Sequence, residues 1–184
     1  EEHFFQDQAM KNINPRLGKA LIKQLDSQKI YFTKNEISYF TNKFQSSADD
    51  VEIAASYELI NLYFNRLIEA TKYQIKVTQK KDFDFSAVEN ILIEDALQEF
   101  RETNIDLREI WVKLAKNDVL TSMLTDKTED EAVELISKRY KNRLRRILQR
   151  NEEDIFSIVM NNLTGLFDPH SSYMSPKSAE DFEM

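Results

Sequence analysis

Glycine and proline are scarce in this chain of 184 residues, and cysteine is absent. The two glycines and three prolines are Gly18, Gly165, Pro15, Pro169 and Pro176. Residues 19–164 therefore contain neither type. Sheets depend on tight turns, which usually need residues that accept a positive φ or have a preset φ. The composition therefore predicts an all-α fold.

The same absences exclude several kinds of functional site. A chain without cysteine has no disulfide, no zinc–thiolate site and no thiol nucleophile. Phosphate-binding and dinucleotide-binding loops need glycines that are missing here. A di-metal helical bundle needs Glu-x-x-His pairs in its core, and neither His3 nor His170 lies inside a predicted helix. We therefore expect no metal site and no cofactor.

Charge and hydropathy limit the partners. The chain has 25 basic and 32 acidic residues, a formal net charge of −7, which disfavours a general nucleic-acid surface. No apolar run approaches the roughly 18 residues that span a bilayer. The chain begins at Glu1 with neither an initiator methionine nor a signal peptide. We therefore expect a processed or excised piece of a longer protein.

Several helix starts can be predicted from capping signals. Thr33–Glu36, Ser86–Glu89 and Thr128–Glu131 each have the capping-box pattern, in which a hydroxyl and a glutamate satisfy two backbone N–H groups. Asn151 is predicted to cap the last helix. That helix is expected to end at Gly165, in the left-handed conformation.

Apolar spacing extends these helices. From about Asp50 to Gln79, apolar residues recur every three or four positions, which predicts one helix about 45 Å long. Another helix carries Leu107–Leu114, and Asn117–Lys127 is expected to form a turn or two of helix and a loop. In total we expect seven to eight helices in a domain over residues 1–165. Residues 166–184, where Pro, Ser and His appear, are expected to be non-helical.

A basic run between Lys138 and Arg150 holds seven positive residues and no acid. One interpretation is a groove for a phosphate group or an acidic partner. The other is a solvated face whose cations complement the negative end of the helix dipole, which the acidic start of the same helix favours. The possible partner surface consists of Arg139, Arg143, Arg146 and Arg150.

The segment Asp168–Tyr173 contains Asp, His and Ser and invites comparison with a catalytic triad. Neighbours in one turn cannot easily align serine, histidine and aspartate through successive hydrogen bonds. Asp before Pro169 forms turns, because the carboxylate accepts local N–H bonds and proline presets the next φ. The sequence therefore favours a structured exit from the helical domain over catalysis.

The run Phe167–Lys177 resembles the segment that precedes the PDZ domain in carboxy-terminal processing, or tail-specific, proteases. Other pieces of the chain resemble the branch of this family that has a helical N-terminal domain. These pieces are Leu25–Asp26 followed by Tyr31–Phe32, Arg139–Tyr140, and Glu153–Phe156. The resemblance covers residues 13–184, which is most of the chain.

The resemblance implies a parent protein with activities that this chain does not itself contain. Family members are periplasmic or exported serine peptidases with a Ser–Lys dyad, and their PDZ domain engages the carboxyl end of a substrate. Both lie downstream of the matching segment, so no catalytic residue can be assigned here and this chain alone is not expected to be an enzyme. What carries over is a structural junction into the PDZ domain, formed by Asp168, Pro169, His170, Tyr173, Ser175 and Pro176.

The resemblance also implies a role for the helical domain. It would pack on the PDZ and protease domains, shape substrate access, or dock an adaptor protein. The alternative is a stand-alone helical adaptor that binds a partner through an exposed apolar or basic helix face. Charge reversal of the four arginines of the possible partner surface would distinguish these two interpretations.

Overall fold

The structure is a computed structural model that describes residues 12–46, 51–91, 99–168 and 170–174. Within these residues it contains six α-helices and no strand, so the all-α prediction is confirmed with fewer helices than expected. The helices are α1 (Ile13–Leu25), α2 (Lys34–Ser46), α3 (Ile53–Lys80), α4 (Asn104–Met123), α5 (Glu129–Leu148) and α6 (Glu152–Gly165). One isolated parallel bridge joins Thr33 to Arg101.

Side-chain caps define where the later helices start. The predicted capping box at Thr128 is present: its hydroxyl accepts from the backbone N–H of Glu131, and the Glu131 carboxylate accepts from Thr128. These bonds from Thr128, first its backbone N–H, hold the pKa of Glu131 below its usual range. Asn151 forms the equivalent box with Asp154, and Thr103 starts α4 in the same way with Asp106.

Two local predictions were wrong and one was right. Ser86 does not cap a helix: its N–H and hydroxyl both donate to Asp84, which closes a turn, and residues 86–91 are not helical. The prediction for Asn117–Lys127 is confirmed: residues 117–123 are about two turns of helix that continue α4, and residues 124–127 form the connection to α5. Gly165 has no positive φ and is simply the last residue of α6.

The chain forms two compact units. The first unit consists of the described residues within 1–25, 36–62 and 151–184. The second consists of those within 26–35 and 63–150. Helix α3 is continuous across residue 62, so it contributes its first part to one unit and its second part to the other.

In the first unit, α1 packs against α6 and buries one apolar face. Gly18 lies on that face, directly under the ring of Phe44 from α2. A Cβ atom at position 18 would lie 2.5 Å from Phe44 Cδ2, so only glycine allows this approach. The Asn14 side chain, which is also buried, accepts a 2.7 Å hydrogen bond from the backbone N–H of Glu52.

In the second unit, α4 packs against α5 and the buried residues form two clusters. Trp111 is the largest side chain of one cluster, and the fully buried Ile136 belongs to the other. Each such fully buried side chain contributes about 1.5–3 kcal/mol relative to exposure. Both clusters draw on α3 and α4, which fixes these two helices within the unit.

Among the described residues, four other than glycine have a positive φ: Asn12, Lys29, Lys81 and Asp126, at 56°, 52°, 53° and 60°. All four lie next to helix ends or in the connections between helices. In the ranges that the structure describes, the left-handed turn conformations are therefore reached without glycine.

Candidate functional site

The segment after α6 is a folded turn built around Asp168. One carboxylate oxygen of Asp168 accepts a 3.0 Å hydrogen bond from the backbone N–H of His170, as predicted for aspartate before proline. The other accepts from the Ser171 hydroxyl at 3.0 Å. The Asp168 backbone N–H donates to Thr164, which continues the last turn of α6.

The same geometry shows how the candidate triad residues are placed. The Ser171 hydroxyl is bonded to the Asp168 carboxylate, and His170 contributes its backbone N–H to the turn. A relay would need serine bonded to the histidine ring and that ring bonded to aspartate. All three side chains are exposed. The arrangement is that of a turn.

Beyond this turn the chain folds back along α6. The Tyr173 backbone N–H donates to Asn161 at 2.8 Å, and the Tyr173 ring packs edge-on against Phe156 with centroids 5.3 Å apart. Arg16 of α1 donates a 2.7 Å bond to the Leu166 carbonyl. Of the six junction residues, Pro169, Ser175 and Pro176 lie outside the described residues.

Apolar side chains are exposed or half-buried at the junction and along α6. Phe167 and Met174 are 50% and 51% exposed. Helix α6 is apolar over most of its length, yet Val159 is its only fully buried side chain in the described structure. Several of its other apolar side chains are half-buried: Ile155, Phe156, Ile158, Met160 and Leu163.

The four arginines of the predicted partner surface fall into two classes. Arg139 and Arg146 are exposed on α5. Arg143 Nη2 instead donates a 2.8 Å bond to the hydroxyl of Tyr31, and the Arg150 guanidinium lies 4.0 Å from the centre of the Phe64 ring. Two of these four arginines therefore contact aromatic side chains within their own unit.

Tyr31 lies in a turn around Asp26, which the sequence analysis did not predict as a functional or structural site. The buried Asp26 carboxylate accepts three backbone hydrogen bonds, from Ile30 at 2.8 Å and from Tyr31 and Phe32 at 2.9 Å each. Trp111 Nε1 donates to the Ile30 carbonyl at 2.7 Å. A signal was present in the sequence, because an aspartate directly after a helix is a common acceptor for the next backbone N–H groups.

Burial governs the ionisation of the tyrosines around this turn. It raises the pKa of Tyr31, while Arg143 partly offsets the rise. Burial also raises the pKa of Tyr63 to about 12, and the Tyr31 and Tyr63 rings meet edge-on at 5.3 Å. Both hydroxyls therefore keep their protons well above the physiological pH range.

Neither a metal-ligand cluster nor a membrane-spanning helix is present among the described residues. In the described ranges, no group of three His, Asp or Glu side chains could hold a metal ion. None of the helices described has an apolar stretch long enough to cross a bilayer.

Comparison with known proteins identifies the family. The model of the tail specific protease N-terminal domain matches residues 1–177. The chain belongs to this family. It is also 25% identical, over 186 residues, to the tail-specific protease of Haemophilus influenzae (strain ATCC 51907 / DSM 11121 / KW20 / Rd). That alignment covers 99% of the chain and 27% of the relative, so the chain spans about a quarter of the relative's length.

The residues that carried the resemblance to tail-specific proteases occupy structural positions. Asp26 organises the turn that presents Tyr31 and Phe32. The Tyr140 hydroxyl donates a 2.6 Å bond to Asp118, and burial together with this carboxylate raises its pKa. Phe156 receives Tyr173 of the junction. Each of these matching pieces therefore contains at least one residue with a structural contact in this domain.

Proposed function

We propose that this chain is the non-catalytic N-terminal domain of a periplasmic tail-specific serine endopeptidase of the Ser–Lys type, which processes proteins from their carboxyl ends. The observation that carries the proposal is the family match over residues 1–177. The name of the Haemophilus influenzae relative supports it. The periplasmic or exported location rests on the family resemblance.

The domain organisation is part of the same proposal. Residues 1–165 form the helical N-terminal domain, and residues 166–184 lead to a PDZ domain that follows in the parent protein. The turn at Asp168 supports this division, because it ends α6 and returns the chain along that helix through Tyr173. A junction anchored in this way would give the next domain a defined starting point.

The proposed work of the domain is to pack on the PDZ and protease domains, where it shapes substrate access or docks an adaptor. Half-buried apolar side chains on α6 and the exposed Phe167 and Met174 support packing at this end of the first unit. Large apolar side chains left half-exposed near a domain junction are typical of surfaces that another domain covers.

A second candidate function is a stand-alone helical adaptor. The exposed Arg139 and Arg146 favour it, because they remain available on α5 for an acidic partner. Replacing both with glutamate should abolish partner binding at low salt if this function is correct. Unchanged binding would identify them as solvated surface.

The experiment that tests the main proposal uses the complete protein encoded by the gene. It should degrade a reporter protein with a free carboxyl end and spare the same reporter with a blocked end. The 184-residue chain alone should degrade neither. Hydrolysis by the chain alone, or equal cleavage of both reporters by the complete protein, would contradict the proposal.

A variant pair tests the junction. In the complete protein, Asp168→Ala should lower the cleavage rate, because the turn that orients the following domain loses its acceptor. Asp82→Ala is the matched control, since Asp82 is an exposed aspartate in a connection of the other unit. Equal rates for the two variants would remove the junction from the proposed role.

A further inference from the structure

A cleft of about 580 Å³ lies in the second unit, between the end of α3 and the first half of α5. We name it the lysine cleft, after its three lysines. The lining residues that matter for its chemistry are Lys81, Asp130, Glu134, Ser137, Lys138 and Lys141. Its volume is in the range of small-molecule sites in proteins.

The cations of the lysine cleft are unequally engaged. Lys81 Nζ lies 2.5 Å from the Asp130 carboxylate, so these two charges neutralise each other. Lys138 and Lys141 are exposed, and in the part of the chain that the structure describes neither has a hydrogen bond or an ion pair. With Glu134 as the remaining acid, the lining carries one net positive charge.

Ser137 supplies an independent observation. The residue is 6% exposed, and its hydroxyl has no hydrogen-bond partner among the described residues. A buried hydroxyl without a partner costs about 1–3 kcal/mol. Thr78 and Ser122 also have buried hydroxyls without a partner in the described structure, but of the three only Ser137 lines this cleft.

We propose that the lysine cleft binds a singly charged carboxylate. The Ser137 hydroxyl donates to a carboxylate oxygen, and the ammonium groups of Lys138 and Lys141 hold the charge. A monoanion balances the single net positive charge of the lining, whereas a dianion such as hydrogen phosphate would leave an unbalanced negative charge beside Glu134. This site lies in the other unit from the junction, so it stands or falls independently of the protease function proposed above.

The test is a titration of the 184-residue chain followed by NMR of its backbone amides. Acetate is the probe, with chloride at matched ionic strength as the blank and inorganic phosphate as the competing anion. Acetate should produce saturable shifts at Ser137, Lys138 and Lys141 and bind more tightly than phosphate. Shifts that do not saturate, or phosphate binding at least as tight as acetate, would overturn the proposal.

Variants locate the site. Lys138→Gln with Lys141→Gln should weaken acetate binding by about tenfold or more, since both charge-assisted bonds are lost. Lys19→Gln with Lys23→Gln removes the same charge from exposed positions on α1 and should leave binding unchanged. Equal weakening by both pairs would show non-specific attraction and refute a built site.

The Ser137→Ala variant distinguishes an effect on acetate binding from an effect on the stability of the fold. It should weaken acetate binding several-fold while leaving stability unchanged or slightly raised, because the unpartnered hydroxyl is removed. Unfolding in urea measures the second effect on the same sample. Unchanged acetate affinity in Ser137→Ala would remove the hydroxyl from the site and with it the proposed geometry.

Discussion

Arg143 and Tyr31 are 112 positions apart in the sequence, yet the guanidinium of one donates a 2.8 Å hydrogen bond to the phenolic oxygen of the other. The bond ties the second half of α5 to the turn organised by Asp26. An arginine of the predicted partner surface thus forms a hydrogen bond within its own unit.

Arg143→Ala should lower the free energy of unfolding by about 1–2 kcal/mol, because a partly buried hydroxyl loses its charged partner. Urea unfolding followed by circular dichroism measures the loss. Arg139→Ala is the matched control, since Arg139 is exposed on the same helix, and it should change stability by less than about 0.5 kcal/mol. Equal effects of the two substitutions would show that the bond to Tyr31 contributes nothing.

Asp26→Ala should be among the most damaging single changes in the second unit. Three backbone N–H groups lose their acceptor at a position that is 2% exposed. We expect a loss of about 3–5 kcal/mol, because each buried N–H left without an acceptor costs about 1–3 kcal/mol. Urea unfolding measures it beside Asp82→Ala, which should be nearly neutral. A loss below about 1 kcal/mol would show that water or a rearranged turn replaces the carboxylate.

The two glycines should respond in opposite directions to the same substitution. Gly18→Ala places a Cβ against Phe44 and should destabilise the chain, although alanine favours helix. Gly165→Ala meets no atom within 4 Å and has no positive φ, so it should raise stability by about 0.4–1 kcal/mol. Thermal unfolding of both variants decides the matter. Stabilisation by Gly18→Ala would mean that α1 and α2 move apart without cost.

Stability should fall at alkaline pH. The pKa of Tyr63 is raised from 10.0 to about 12, so between these values the unfolded chain releases the proton while the folded chain keeps it. Unfolding is then favoured by rising pH, and the contribution is complete only below about pH 10. Urea unfolding at several pH values measures the slope, which Tyr63→Phe should reduce. A slope unchanged by Tyr63→Phe would assign the effect to other groups whose pKa is raised, such as Tyr31, Tyr140 or the ion-paired Lys81.

Local chemistry made most of the fold predictable. The long helix α3 could be predicted because nothing in residues 19–164 interrupts its apolar spacing, and the Thr128 and Asn151 caps act within three residues. Ser86 failed because a neighbouring carboxylate, Asp84, competes for the same groups at shorter range. Such competition depends on backbone geometry that a capping pattern does not contain.

The sites were less predictable, since their contacts join distant parts of the sequence. The turn at Asp168 is local and its hydrogen bonds follow from the residue types. The Arg143–Tyr31 bond and the packing of Tyr173 on Phe156 depend on which helices meet. The lysine cleft likewise exists only because α5 lies beside the end of α3.

The residues in the left-handed backbone conformation suggest how this domain could be made more heat-resistant. Lys29 and Lys81 each hold a conformation that costs a side-chain-bearing residue about 1–2 kcal/mol, and glycine would avoid that cost. Part of the gain is returned as greater freedom of the unfolded chain. Substitutions in the connections between helices can therefore raise the stability of the domain. Engineering for thermal tolerance should begin at these positions and leave the packed interior unchanged.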